Sequence, residues 1–199
     1  MIAGLVLLPG RSRRSTGWPM PKVILDCDPG HDDAVAILLA TGHPDVEIHG
    51  DTGMEIHGFE LPEPRVAPES THAVRWMIDT LMREEPGSVT VIPTGPLTNL
   101  ALAARLEPRI VERMREVVLM GGAFGAGNYT ASAEFNIAVD PEAAQIVFGE
   151  QWPIVMVGLD LTHQALATPQ VQQRGGHRAR RGAFLGSGGV RGARPWVAG

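Results

Sequence analysis

Short apolar runs alternate with longer runs of helical spacing through the middle of the chain. Val23–Leu25, Val46–Ile48, Val89–Ile92, Val117–Met120 and Ile154–Leu159 are apolar runs of strand length. Between them, Asp32–Ala40 reads as a helix, and Val74, Met77, Ile78, Leu81 and Met82 share one helix face, with Pro86-Gly87 closing that helix. Pro96, at a first helical position, opens a helix over Leu97–Leu106. Asp140 caps a helix that begins at Pro141 and runs through Phe148, and Thr168-Pro169 starts one more. Residues 51–68, rich in Gly, Pro and Glu, read as a loop. This alternation predicts an α/β fold with a mainly parallel open sheet and helices on both faces. Such folds bind ligands outside the carboxyl ends of their strands. Polar residues collect at those ends: Asp28 to Asp33, Thr94, Met120 to Asn136, and Asp160.

The pattern stops at both ends of the chain. Residues 1–19 hold a short apolar run followed by arginines, the reverse of a secretory signal. Met20 directly precedes the first strand, so residues 1–19 read as an extension without structural duty and Met20 as the natural start. The domain itself then runs over residues 20–174. From residue 175 to 199 there are eight glycines, five arginines and no acid, which reads as a disordered tail. Lys22 is the only lysine, and a G+C-rich gene read out of frame yields Arg, Gly and Ala, so a frameshift near residue 175 is a second reading of that tail. An uninterrupted in-frame tail on resequencing would refute it.

Charge and composition narrow the function. The net charge of −5 hides a middle with nine basic residues against 22 acids, −13, flanked by purely basic ends. An acidic body argues against nucleic-acid binding through a basic face. No apolar stretch is long enough to span a bilayer. One cysteine excludes a disulfide framework and a Cys-based zinc site, and it points to a reducing, cytoplasmic setting. Within Asp26-Cys27-Asp28-Pro29-Gly30-His31-Asp32-Asp33, four carboxylates fall within eight residues where a strand should become a helix. Asp26 and Asp28 share one face of the strand end, Pro29-Gly30 supply the turn, and Asp32 and Asp33 open the helix, where its dipole favours acids. Capping accounts for Asp32 and Asp33 but not for Asp26 and Asp28. Crowded carboxylates disfavour one another's ionisation without a counter-ion, and hard oxygen ligands suit Ca²⁺ or Mg²⁺ rather than zinc.

The segment from Asp26 to Ala34 resembles the N-terminal signature of the inosine–uridine-preferring nucleoside hydrolases. Further stretches resemble the same family in the same order: Ile48-His49-Gly50-Asp51-Thr52-Gly53, Pro93-Thr94-Gly95-Pro96-Leu97-Thr98-Asn99, Val118-Leu119-Met120-Gly121-Gly122 with Asn128, Ala133-Glu134-Phe135-Asn136, and Gly158 to Leu166. The likeness covers roughly residues 21–174. It implies cleavage by water of the N-glycosidic bond of a ribonucleoside such as inosine or uridine, to ribose and a free base, within purine and pyrimidine salvage. It implies one Ca²⁺ at the pocket floor, held by Asp28, Asp33 and the carbonyl of Thr94. By the same resemblance Asp28 is the base that takes a proton from the calcium-bound water, and His49 lines the nucleobase side and counts with the catalytic groups. Asp32 then meets a ribose hydroxyl, Asn128, Glu134 and Asn136 grip the sugar, and Met120 packs beside it. Members of the family form dimers or tetramers. The chemistry agrees, because an oxocarbenium-like sugar is stabilised by carboxylates around the ring.

The sequence departs from the family pattern twice. Val46-Glu47-Ile48 passes directly into His49-Gly50-Asp51, where the family has a further βα unit, so one such unit is missing internally. No counterpart of the family's later His-Asp pair, the acid toward the leaving base and a further calcium ligand, follows Gln173. The expectation is a chain of marginal stability with little or no hydrolase activity. A remnant that binds calcium or nucleoside without turnover is the alternative. A phosphatase of the haloacid dehalogenase type ranks far behind, because Gly30 stands where that motif needs Thr or Val.

Overall fold

The computed structural model describes residues 4–8 (backbone only), 22–27, 33, 70–166 and 168. The chain divides into two units, Met1–Thr162 and His163–Gly199. In the second, Leu166 N–H donates to Gln164 O and Thr168 N–H to Leu166 O, a short turn.

Five strands form one sheet in the order β1 (Gly4–Leu8), β2 (Lys22–Cys27), β3 (Val89–Pro93), β4 (Glu116–Met120) and β5 (Ile154–Val157). Strands β2 to β5 run parallel, as the alternating pattern predicts, and β1 lies antiparallel at the edge. Consecutive buried residues in β3 (Val89, Thr90, Val91) point to opposite faces, so both faces of the central sheet are covered. Ile24, Val91, Val117 and Leu119 have no exposed surface and form the middle of the core with Met77, Leu100, Ile110 and Val147.

The helices follow the periodicity closely. Helix α1 (Ala73–Arg83) buries Val74, Met77, Ile78 and Leu81, the stripe the spacing predicts. Helix α2 (Thr98–Leu106) starts two residues past Pro96, with Leu97 as its cap. A four-residue helix α3 (Ile110–Arg113) follows; Arg113 donates to the carbonyls of Leu81, Met82 and Glu84 and so ties off the end of α1. Helix α4 (Phe135–Ala138) is equally short. Helix α5 (Pro141–Gly149) has Asp140 as its cap, whose Oδ1 accepts from Ala143 N–H at 3.0 Å, as expected. Strand β5 ends at Val157 rather than Leu159, because residues from Leu159 to Thr162 turn into helix α6.

One expectation is overturned in part. Residues 1–19 are not without structural duty, because Gly4–Leu8 pairs with β2 from Val23 to Cys27. The predicted strand at residues 46–48, the loop over residues 51–68, and the predicted helix over Asp32–Ala40 apart from Asp33 lie outside the described residues.

Candidate active site

Strands β2 and β3 are parallel neighbours, although residues 28–88 separate them in sequence. In open α/β sheets ligands bind outside the carboxyl ends of the strands, which here are the ends of β2, β3 and β4.

The end of β2 is locked to the end of β3. Thr94 N–H donates to the Asp26 carbonyl at 2.8 Å, which continues the ladder one residue beyond β3. The Asp26 carboxylate is buried and accepts at 3.0 Å from Nδ2 of Asn99, the second residue of α2. Thr94 Oγ1 donates to Asp33 Oδ1 at 2.6 Å, a length typical of a hydroxyl on an ionised carboxylate, and Asp33 is 2 % exposed. The Asp33 carboxylate and the Thr94 carbonyl, both expected calcium ligands, thus belong to residues in direct contact.

Asn136 connects this pair to the next strand. Its Nδ2 donates to the Thr94 carbonyl and to the Met120 carbonyl, both at 3.0 Å, and lies 3.4 Å from Met120 Sδ. One carboxamide therefore joins the ends of β3 and β4. A carbonyl oxygen has two lone pairs, so the bond from Asn136 leaves Thr94 O able to accept or ligate once more.

The segment between β4 and α5 is built around Glu134 and two glycines. Glu134 caps α4, and its Oε2 accepts from Ile137 N–H at 3.2 Å and from Gly122 N–H at 3.0 Å. Gly122 has φ +74°, and a Cβ there would stand 2.8 Å from Met156 Sδ. Gly127 packs so closely on the backbone of Ala133 that a Cβ would fall 2.2 Å from its carbonyl oxygen. This closure lets Asn128, Tyr129 and Thr130 direct their N–H groups at Ala133 O. Asn128 Oδ1 accepts from Phe135 N–H at 2.9 Å, and Tyr129 meets Phe135 edge-on at 5.7 Å. Asp160 Oδ2 accepts from Phe124 N–H at 2.7 Å and anchors the other limb of the loop.

Of the residues singled out by sequence, Asp33, Thr94, Met120 and Asn136 are joined in one hydrogen-bonded chain. Glu134 precedes that chain on the same segment, and Asn128 stands at the exposed rim of the loop. Asp28, Asp32 and His49 lie outside the described residues. Two participants carry no assignment from sequence. Asn99 is legible only as part of its motif, and Asp26 only as one of four crowded acids; their pairing joins residues 73 apart and leaves no local signal.

Comparison with known proteins decides the ancestry. The family model described as inosine-uridine preferring nucleoside hydrolase matches residues 42–189. The chain belongs to the inosine-uridine preferring nucleoside hydrolase family. The match runs past residue 174, where the motif likeness ends. An inosine-uridine preferring nucleoside hydrolase of Leishmania major is 45% identical over 204 residues, covering 77% of this chain and 65% of that protein. A pyrimidine-specific ribonucleoside hydrolase of Escherichia coli O157:H7 is 44% identical, covering 77% of this chain and 64% of its own length. A purine-preferring ribonucleoside hydrolase from Gardnerella vaginalis superposes with a TM-score of 0.59 at 31% identity, over 76% of this chain and 56% of that one.

This family member thus spans about 65% of the length of the curated relatives it matches. The alignments also carry an internal gap. In the first, 77% of 199 residues is about 153, so about 50 of the 204 aligned positions have no residue in this chain. A gap of that size agrees with the loss of a βα unit inside the domain.

Proposed function

We propose that the site is built for hydrolysis of the N-glycosidic bond of a ribonucleoside, with water as nucleophile and Ca²⁺ as the bound cation. The observation that carries this is the chain Asp33–Thr94–Asn136–Met120 across the ends of three adjacent strands, in a member of a nucleoside hydrolase family. The donors fit the ion: Asp33 offers a buried carboxylate and Thr94 a main-chain carbonyl, both hard oxygens. Among the described residues no three His, Cys, Asp or Glu side chains converge, so the set needs Asp28, the residue directly after β2 in sequence. Calcium, when bound, lowers the pKa of a water and orients the ribose diol.

The residues divide the work. Asp28 takes the proton of the attacking water. Asp32 accepts a hydrogen bond from a ribose hydroxyl and fixes the ring over the site. Asn136 holds the Thr94 carbonyl in place and Met120 forms the apolar floor beside the sugar. The carboxylates of Asp28, Asp32, Asp33 and Glu134 favour the positive charge that develops on the ring as the base departs. His49 stands on the side of the leaving base.

A second reading has its own support. Glu134 Oε2 and the Asn136 amide are already engaged with backbone groups, and about 50 aligned positions are missing, so binding without turnover is a coherent outcome. One experiment separates the two. Calcium binding is measured by calorimetry, and release of hypoxanthine from inosine and of uracil from uridine by chromatography. The expected result is calcium binding with turnover at least about 10²-fold below that of a full-length relative, the loss a missing acid–base group causes. Turnover equal to that of the relative overturns the expected impairment, and absence of calcium binding overturns the metal assignment.

A further inference from the structure

We propose that the outer edge of β2 is a strand-accepting surface and that Gly4–Leu8 of the same chain is its occupant, standing where the missing internal strand would pair. Three observations converge on this. The other edge of β2 is taken by β3, so any strand lying between them in sequence must add to the outer edge of β2 or beyond β5. Sequential strands most often neighbour one another, which favours the edge of β2. The family alignment lacks about 50 positions internally, the size of a strand with its crossover. The edge is nonetheless filled, by a strand of opposite direction paired at five consecutive positions.

The register states which groups are protected. Thr94 N–H donates to Asp26 O, so the backbone groups of Asp26, and of Ile24 and Lys22 by alternation, face β3. Those of Val23, Leu25 and Cys27 face the outer edge. Their partners are Leu8, Val6 and Gly4. Without β1 these three residues would present a row of unpaired donors and acceptors next to the buried apolar strand that leads into the Asp-rich turn, an open template for another chain.

The pairing is tested first by cross-linking in the full chain. Gly4 lies directly opposite Cys27, the only cysteine, and facing residues of a hydrogen-bonded antiparallel pair have Cα atoms about 5.5 Å apart, within disulfide range. In G4C, mild oxidation should give an intrachain disulfide to Cys27, read by peptide mass mapping. An interchain disulfide would assign the edge to a second copy, and no disulfide would leave the edge without this occupant; either overturns the proposal. The consequence is tested by Val6→Pro, which removes the donor opposite Leu25. Amide exchange should quicken by about tenfold or more at Val23, Leu25 and Cys27 while Ile24 and Asp26 stay protected by β3. Light scattering should then show growth of larger assemblies. Unchanged exchange at the three outward amides overturns the proposal, and if V6P loses protection everywhere the disulfide result decides.

Discussion

Asn136 bears on the site at the scale of a single residue. Its amide is buried and donates to two main-chain carbonyls on different strands, so its removal leaves two acceptors unpaired. Unsatisfied buried groups cost about 1–3 kcal/mol each, and relaxation recovers part of that. Asn136→Ala should therefore lower unfolding stability by about 2–3 kcal/mol in urea. Asn136→Asp should lower it further, because a carboxylate turns acceptors toward two carbonyl oxygens; greater stability for Asp than for Ala would contradict the assigned amide orientation. This duty is not readable from sequence. Glu134 and Asn136 lie in a segment without periodicity, and only resemblance marks them. Their capping and bridging depend on Gly122, Thr94 and Met120, which reach them through the fold. Asp33 belongs to a local signal, the four crowded acids, whereas Thr94 reads as an ordinary strand-to-helix turn and is marked as a ligand only by resemblance.

Elements were legible in proportion to their length. The eleven residues of α1 and nine of α5 repeat a helical period often enough to show it, and Asp140 before Pro141 marks a helix start on its own. Four-residue helices such as α3 and α4 contain about one turn and show no period. Leu159 and Leu161 prolong the apolar run of β5, although the chain has already turned at Gly158. Strand β1 was missed because a short apolar run ahead of Met20 reads as an extension, and its partner lies about twenty residues on. The cap of α5 makes a quantitative case. Asp140 accepts from Ala143 N–H and from the Thr98 hydroxyl, so it fastens α5 to the first turn of α2. Asp140→Ala should cost about 1–2 kcal/mol, the upper part of the range for caps, in chemical denaturation. Thr98→Ala should cost less, because the cap bond to Ala143 survives; equal losses would mean that the Thr98 contact, not the cap, carries the effect.

At the scale of the whole molecule, about 50 aligned positions are missing and the proposed site is rich in carboxylates. On the calcium assignment proposed above, stability is coupled to the cation. A ligand that binds only the folded chain stabilises it by mass action, about 2.7 kcal/mol at a hundredfold excess over Kd. For a domain of this size each kcal/mol moves the melting temperature by about 2–4 °C. Calcium at saturating concentration should therefore raise the midpoint by about 5–10 °C, measured by calorimetry with chelator as reference. Magnesium should do less, since it demands near-ideal octahedral geometry and gives up its waters reluctantly, whereas calcium accepts about six to eight oxygen ligands in looser arrangements. In Asp33→Asn the calcium-dependent shift should vanish, because the substitution removes the charge that the ion compensates. A D33N chain that gains as many degrees from calcium as the native chain would place the binding elsewhere among the 22 acids, and the turn after β2 would then carry the family likeness without the metal.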